Sequence, residues 1–599
     1  MSGIAGIISI GKNSEILQQD FESFFSSILV NHCKVKHIEK LGRNGFIGVA
    51  DLEGRTPKVY VSEDSTLKLF LWGEMFLKDS EAPGFTSGYV AILKLWMKKR
   101  QQFFQLITGD FVACFYDTSS DQITLFNSLY GMMPLYYSIK GKTLLFSSRL
   151  QSFIDYQGFD AKVDNNGMLQ LLMFNYTIGD STFLQNVKLL PAASIISRKK
   201  DGWIKEKYDH HTLLFNSPEY DFNNGVELVN IALSKSIKRI ADIDSPFACA
   251  ITGGWDGRLI LSYLTKLGYS DFILYTYGKE THPDMYISRK LAKTFGFEHL
   301  PVVLDESFIE GYVDLAGESV LLSDGLRPAN RGQYLLTAKK LAAETSQVIS
   351  GNCGSNILKI IQGPGAVYND NVVKLFQNDL SLEDAADHIY VNFFKKNPWI
   401  KPLVKKDEFI FSVIESEIIK EKDSPLGRRF YHFLLTNIER KYFGTETSSY
   451  ASYIYNYTPF IDTEFIESVV KTPYFGGHYP FLQSNPMVRV KLSQLYAKLM
   501  LANHKDLALF TSDRGFPITW FKSPQGRLAG YLKKKVSTLN KKHKDTDPFN
   551  HMRGLNILTE NWNLNTWFFE KSISGFKDDT KVKALSWSYW YFNNFNRAE

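Results

Sequence analysis

Cysteine is scarce: Cys33, Cys114, Cys249 and Cys353 are the four in 599 residues, and none is paired at metal-ligand spacing. This excludes a zinc knuckle or a disulfide framework, and such usage predicts a reducing, cytoplasmic setting. Long apolar runs are also missing. No stretch reaches the roughly 18 residues a membrane helix needs. The apolar opening Ile4–Ile10 is short, with no basic residues before it, so no secretory signal and no membrane partner are expected. Charge of one sign is lacking too: 69 basic against 63 acidic residues give a formal +6. That bias does not predict a nucleic-acid partner. The main basic run, Lys533 to Lys544, reads as a solvated linker or helix face. Internal repeats, low-complexity segments and the GxGxxG spacing of a dinucleotide site are absent as well.

What is present is apolar and patterned. Hydrophobic residues make up 44% and aromatics 14%, enough for full cores. Up to about residue 150, short strand-like segments (Gly3–Ile10, Gly45–Ala50, Thr66–Leu71, Gly109–Asp117, Ile123–Asn127) alternate with turns and a helical stretch at Val90–Lys99. Strands continue at Ala193–Arg198 and Trp203–Tyr208. The polar stretch His210–Asn224 then marks a boundary, which predicts domains at 1–210 and 225–599. Beyond it, buried-type strands (Phe247–Ile251, Phe272–Tyr277, His299–Leu304, Gln347–Ser350) alternate with helices at Leu259–Leu267 and Ile287–Phe295. That alternation predicts a parallel sheet covered on both faces, and the chain after about 360 reads as helical.

The first of these strands runs into Thr252-Gly253-Gly254-Trp255-Asp256-Gly257-Arg258 and then a helix. Ligands of α/β sheets bind at such a turn, where glycines admit a phosphate to backbone amides at a helix N-terminus. A carboxylate there repels phosphate unless a cation lies between them, so a phosphate site built around Asp256 requires Mg²⁺. The competing reading is a tight packing turn with Asp256 as a helix cap.

Thr252–Arg258 resembles the pyrophosphate loop of asparagine synthetases, Ser-Gly-Gly-Leu-Asp-Ser-Ser. The likeness runs in order along the chain. Met1–Ile7 is similar to the family start Met-Cys-Gly-Ile-x-Gly, Gly109–Asp117 to "GmFAFalyD", and Tyr130–Tyr137 to "FGikPLYY". Phe146–Ser148 is similar to "FaSE" and Pro459–Asp462 to "vPFLD". The resemblance implies an N-terminal class II glutaminase with the Ntn-type αββα sandwich. It also implies an ATP-pyrophosphatase (adenine nucleotide alpha hydrolase-like) parallel-sheet domain with a helical C-terminal part. Such a domain adenylates a carboxylate with ATP and Mg²⁺, and an amine then displaces AMP.

The departures from that pattern matter most. Ser2 stands where the family has its nucleophilic cysteine, and a hydroxyl is far less nucleophilic near neutral pH. Trp72 replaces the oxyanion-hole asparagine, a loss of about 100- to 1000-fold. Ser87 stands for the substrate-clamping aspartate, and Asn127-Ser128 for an Arg-Asp pair. In the second half Gly253, Gly254 and Asp256 keep the loop, Thr252 keeps a hydroxyl and Gly257 loses one, Arg258 adds a charge for phosphate, Gly278 matches the adenine-side segment and Pro283-Asp284 the "sPDl" helix start. The second phosphate motif keeps Ser350 and Gly351 but has Asn352, Ser355 and Asn356 for its acids. Asp513 replaces a catalytic lysine, leaving Arg514 to supply charge.

The resemblance therefore implies an AMP-forming amide ligase acting on ATP and an unidentified carboxylate, a small molecule, sugar acid or peptide. Asp256 holds the metal, and Asp256 and Arg514 serve catalysis. Glutamine hydrolysis is expected to be lost. The alternatives are an ATP-binding or non-catalytic scaffold and a glutamine-hydrolysing asparagine synthase. A homodimer stays open.

Overall fold

Alternation of buried side chains organises the first half of the chain. The structure, a computed structural model, describes every residue except 1, 11–15, 43, 79–87, 216–223, 245, 359–362, 366, 378–379, 417–423, 483–484, 486–487, 489–492, 540–550, 563–578 and 596–599. Ser87, Lys541, Lys542 and Lys544 lie outside the described residues. Along the strand Gly3–Ser9, Ile4 and Ile8 face one apolar cluster while Ala5 and Ile7 face another, the two-residue period of a strand covered on both sides. One six-stranded antiparallel sheet runs in the order Lys188–Leu189, Tyr136–Lys140, Thr143–Ser147, Gly3–Ser9, Gly45–Asp51, Val35–Leu41. A second runs Gly202–Lys207, Ser194–Lys199, Gln122–Asn127, Ile107–Asp117, Leu67–Leu77, Lys58–Val61.

Ile4, Ile47, Val49, Phe70, Trp72, Val112, Leu125 and Phe146 fill the space between the sheets. The helix Gln18–Ser26 covers the outer face of the first sheet through Phe21, Phe24 and Phe25. The helix Tyr89–Lys99 and the turn Arg100–Gln105 cover the second, where Trp96 stacks on Phe115 at 4.4 Å. The layering is αββα, as the resemblance implies.

The second half carries a five-stranded sheet, entirely parallel, in the order His299–Val303, Phe272–Gly278, Phe247–Ala250, Gln347–Ile349, Tyr455–Tyr457. Its helices start and stop by local rules. Pro283–Phe295 begins with proline in its first turn and ends at Gly296 in the left-handed region, φ 75°. Helices dominate after Ile349, and two π turns, Leu434–Ile438 and Arg440–Gly444, flank Glu439.

One apolar cluster runs from Phe21 under the first sheet to Trp590 in the helix Asp579–Phe595. Buried polar ties join the halves as well. Arg149 pairs with Asp324 at 2.7 Å. Arg440 donates to the carbonyls of Gly131 at 3.0 Å and Leu190 at 2.6 Å. Among the described residues no helix is long and apolar enough to cross a membrane.

Candidate active site

Two regions carry the residues singled out by sequence. The first surrounds Ser2, fully buried. Its N–H donates to the Ala451 carbonyl at 3.2 Å, and the Trp72 indole N–H donates to its hydroxyl oxygen at 3.2 Å. The Tyr455 hydroxyl lies within reach of Ser2 and donates to Asp51 at 2.8 Å; Tyr457 donates to Glu74 at 3.1 Å. Arg55 lies over the Tyr455 ring at 4.9 Å and reaches Asp51, Glu74, Asp244 and Ser346. Burial first, then the Asp51 carboxylate, pushes the Tyr455 phenol well above its ordinary value, so the phenol stays a donor. Side chains from the second half thus occupy the space beside Ser2. Asn127 and Ser128 are spent internally: Asn127 accepts from the Ser194 N–H at 2.9 Å and donates to the Pro191 carbonyl at 2.9 Å, and Ser128 donates to Asp110 at 3.0 Å.

The second region is a cavity of about 250 Å³ at the carboxyl ends of the parallel strands, the ligand-binding end of such sheets. Thr252, Asp256, Gly257, Ser350 and Gly351 line one end, and Tyr277, Tyr334, Glu446 and Tyr450 line another part. Glycine is required at two points. A Cβ on Gly257 would lie 2.3 Å from the Ala250 carbonyl oxygen, and one on Gly351 would lie 2.7 Å from the Asp256 Cβ. Gly257 thus lets the first loop close on its own strand, and Gly351 lets the second loop approach the first. Asp256 opens the helix Asp256–Lys266, and its two carboxylate oxygens accept from the hydroxyls of Tyr496 and Ser355. Neither hydroxyl was legible as a partner in the sequence. Burial, then the Asp256 charge, raises the Tyr496 phenol well above its ordinary value, and nearby Arg514 opposes this.

Other expected residues sit elsewhere. Arg258 does not offer its charge to the cavity, which corrects the expectation. It is 1% exposed and donates to the carbonyls of Phe510 (3.0 Å), Thr511 (3.1 Å) and Gly253 (3.2 Å), and burial lowers its pKa to about 10. It thereby ties the Phe510–Thr511 segment to the loop. The Arg514 guanidinium lies over the Trp255 ring at 4.3 Å. Gly278, φ 154°, ends its strand, while the preceding Tyr275, Thr276 and Tyr277 line the cavity. The Gly253 N–H is taken by the Asp284 carboxylate at 2.7 Å, and the Gly254 N–H by the Thr252 hydroxyl at 3.1 Å.

For Mg²⁺ and ATP the donor set is suitable but sparse. Among the described residues no group of three or more His, Cys, Asp or Glu could hold a metal. Asp256 keeps a second lone pair on each oxygen after the two hydroxyl bonds, and Mg²⁺ usually takes one or two carboxylates plus phosphate oxygens. Ser350 Oγ and Asn456 Oδ1, both on the cavity wall, are buried without a hydrogen-bond partner.

Beneath the second loop lies a carboxylate that no sequence motif announces. Glu439 is fully buried and accepts from Asn356 at 2.7 Å. Burial raises its pKa to about 7, opposed by bonds from Cys353 and Asn356. Its folded value exceeds the unfolded one, so its contribution to stability is full below about pH 4.5 and is lost as pH rises through 7, at about 1.4 kcal/mol per unit. We expect Glu439→Gln to exceed the wild type in stability by about 2–3 kcal/mol at pH 8 and to match it at pH 4, read from urea midpoints.

The fold is thus a layered αββα sandwich joined to a parallel sheet with a glycine-rich loop. Residues 85–209 match a family model described as a glutamine amidotransferase domain. The chain is 24% identical over 270 residues to a putative asparagine synthetase (glutamine-hydrolyzing) 1 of Methanocaldococcus jannaschii, covering 42% of this chain and 45% of that one. It is 21% identical over 347 residues to asparagine synthetase (glutamine-hydrolyzing) 3 of Bacillus subtilis, covering 52% and 54%. It spans about half the length of these curated relatives. The Bacillus subtilis glutamine phosphoribosylpyrophosphate amidotransferase solved with ADP and GMP aligns over 61% of this chain and 84% of its own, at 10% identity and a TM-score of 0.25. An allosteric regulatory enzyme of purine biosynthesis aligns over 50% and 80%, also at 10% and 0.25. Part of the chain is thus similar to asparagine synthetases, and residues 85–209 to a glutamine amidotransferase domain.

Proposed function

We propose that this chain is an ATP-dependent, AMP-forming amide ligase that takes its nitrogen from free ammonia or a substrate amine, not from glutamine. One contrast carries the reading: the space beside Ser2 is filled, while the cleft holding Asp256 is open at about 250 Å³. A glutamine at Ser2 would have to displace Trp72, Tyr455 and Arg55. It would also meet a hydroxyl rather than a thiolate, without an amide donor for the oxyanion. In this reading Thr252, Gly257, Ser350 and Gly351 cradle the phosphates, with Gly253 and Gly254 shaping the loop and Gly278 the adenine side. Asp256 holds Mg²⁺, oriented by Tyr496 and Ser355. Arg514 supplies charge once it leaves the Trp255 ring. When bound, ATP with Mg²⁺ supplies the adenylyl group that activates the carboxylate.

Glutamate release from glutamine is expected to stay at the uncatalysed background for the wild type, and for Ser2→Cys as well, because the thiol does not empty the pocket. A glutaminase rate in either protein would overturn this half of the reading. The ligase half is tested by incubating the chain with Mg²⁺–ATP, ammonium and a panel of carboxylates, and measuring AMP and pyrophosphate.

A second reading, an ATP-binding or non-catalytic scaffold, is favoured by one observation. The Gly253 amide faces Asp284 rather than open space, and Asp513 stands beside it. Release of AMP and pyrophosphate with any carboxylate would remove it.

A further inference from the structure

We propose that the filled pocket around Ser2 is a strut that positions the nucleotide cleft, with Tyr455 and Tyr457 as its positioning residues. The strand Tyr455–Tyr457 is an edge of the parallel sheet, paired on one side with Gln347–Ile349. Alternate residues of a strand face opposite ways. Tyr455 and Tyr457 turn into the sandwich and end on Asp51 and Glu74. Asn456, between them, lies on the cavity wall opposite Val348 in the register.

The same strand carries the phosphate-side loop. The Ser350 N–H donates to the Tyr457 carbonyl at 2.9 Å, and the Tyr455 N–H to the Ser346 carbonyl at 2.9 Å. Arg55 clamps the start of the neighbouring strand through Ser346 at 3.0 Å. The result at the cleft is a pair of buried acceptors, Asn456 Oδ1 and Ser350 Oγ, with no partner in the protein. Groups left this way are costly unless a ligand donates to them, so their placement matters.

Packing alone does not account for the hydroxyls. Phenylalanine would fill the same space without burying phenols against carboxylates. Buried polar bonds of this kind add little net stability but fix geometry. A strand also cannot slip by one residue without turning Asn456 away from the cleft. The domain that resembles a glutaminase is thereby an integral part of the ligase site. This inference rests on the ATP reading for what the strand positions, not for the coupling itself.

The test uses the full chain and compares wild type, Tyr457→Phe, Glu74→Gln, their double variant and Thr108→Val. Thr108→Val removes a different bond between the halves, Thr108 to Asp462 at 2.9 Å, which no residue of the strand makes. Hydrogen exchange of residues 346–357 is measured without ligand, and Mg²⁺–ATP binding by calorimetry. We expect exchange in that segment to rise about tenfold in both single variants and no further in the double, with ATP affinity falling by about three- to tenfold. Thr108→Val should change neither. Unchanged exchange in Tyr457→Phe, or an equal rise in Thr108→Val, would overturn the strut. If the wild type took up no ATP, the nucleotide reading would fail, and the exchange comparison would still decide the coupling.

Discussion

Asp256→Asn lowers the affinity for Mg²⁺–ATP by about 100-fold or more, while its melting temperature stays close to that of the wild type. The substitution keeps the size of the side chain, so Tyr496 and Ser355 retain a partner. It removes the charge that a metal ligand here requires. The helix's cap position is Trp255, with no side-chain cap bond, so the competing reading is a packing turn, and a packing role that needs only the two hydroxyl bonds survives Asp→Asn. Metal-site partners that only orient a ligand are worth about 10- to 100-fold, so Tyr496→Phe is expected to cost about tenfold. Calorimetry with and without Mg²⁺ reads both. Equal binding by wild type and Asp256→Asn would assign the turn to packing.

Glu446→Ala destabilises the fold by about 3–5 kcal/mol, the usual cost of leaving buried charges unpaired. Glu446 takes three donors on one oxygen: Arg327 at 2.9 Å, and Arg331 through Nε at 2.7 Å and through a terminal nitrogen at 2.6 Å. Arg327 lies over the Tyr442 ring at 3.9 Å and Arg331 over Tyr334 at 4.2 Å. Removing the carboxylate strands the buried Arg327 guanidinium and the part-buried one of Arg331. Burial alone would raise the Glu446 pKa, but Arg331 and Arg327 outweigh it and hold the group below its ordinary value. The folded value is depressed, so this stabilisation is present above about pH 4.5 and is lost as pH falls further. Urea unfolding at pH 7 measures the loss. A change under 1 kcal/mol would mean the arginines find other partners.

The elements legible in the sequence are those fixed locally. Short apolar runs placed strands at Gly45–Ala50 and Gly109–Asp117, within two residues of the observed Gly45–Asp51 and Ile107–Asp117, and the strand–turn–helix at Phe247–Lys266 announced itself through glycine and helical spacing. The two-residue strand Lys188–Leu189 and the edge strand Tyr455–Tyr457 are too short to carry a period. Tyr455 closes onto Asp51 across 404 residues, a contact that no local pattern encodes. Arg258 shows a different limit. A positive residue in a phosphate-type loop suggests a phosphate contact, but its direction depends on how the helix's first turn meets the Phe510–Thr511 segment. Glu439 and Tyr496 lie in helices remote in sequence from either loop, and only folding brings them beneath Asn356 and beside Asp256.

The decisive experiment is exchange of labelled pyrophosphate into ATP, with Mg²⁺, a carboxylate panel, and glutamine either present or absent. An AMP-forming ligase that takes no nitrogen from glutamine gives exchange that needs one carboxylate and is the same with and without glutamine. No exchange with any carboxylate, or exchange that appears only as glutamate is released from glutamine, would overturn the proposed function.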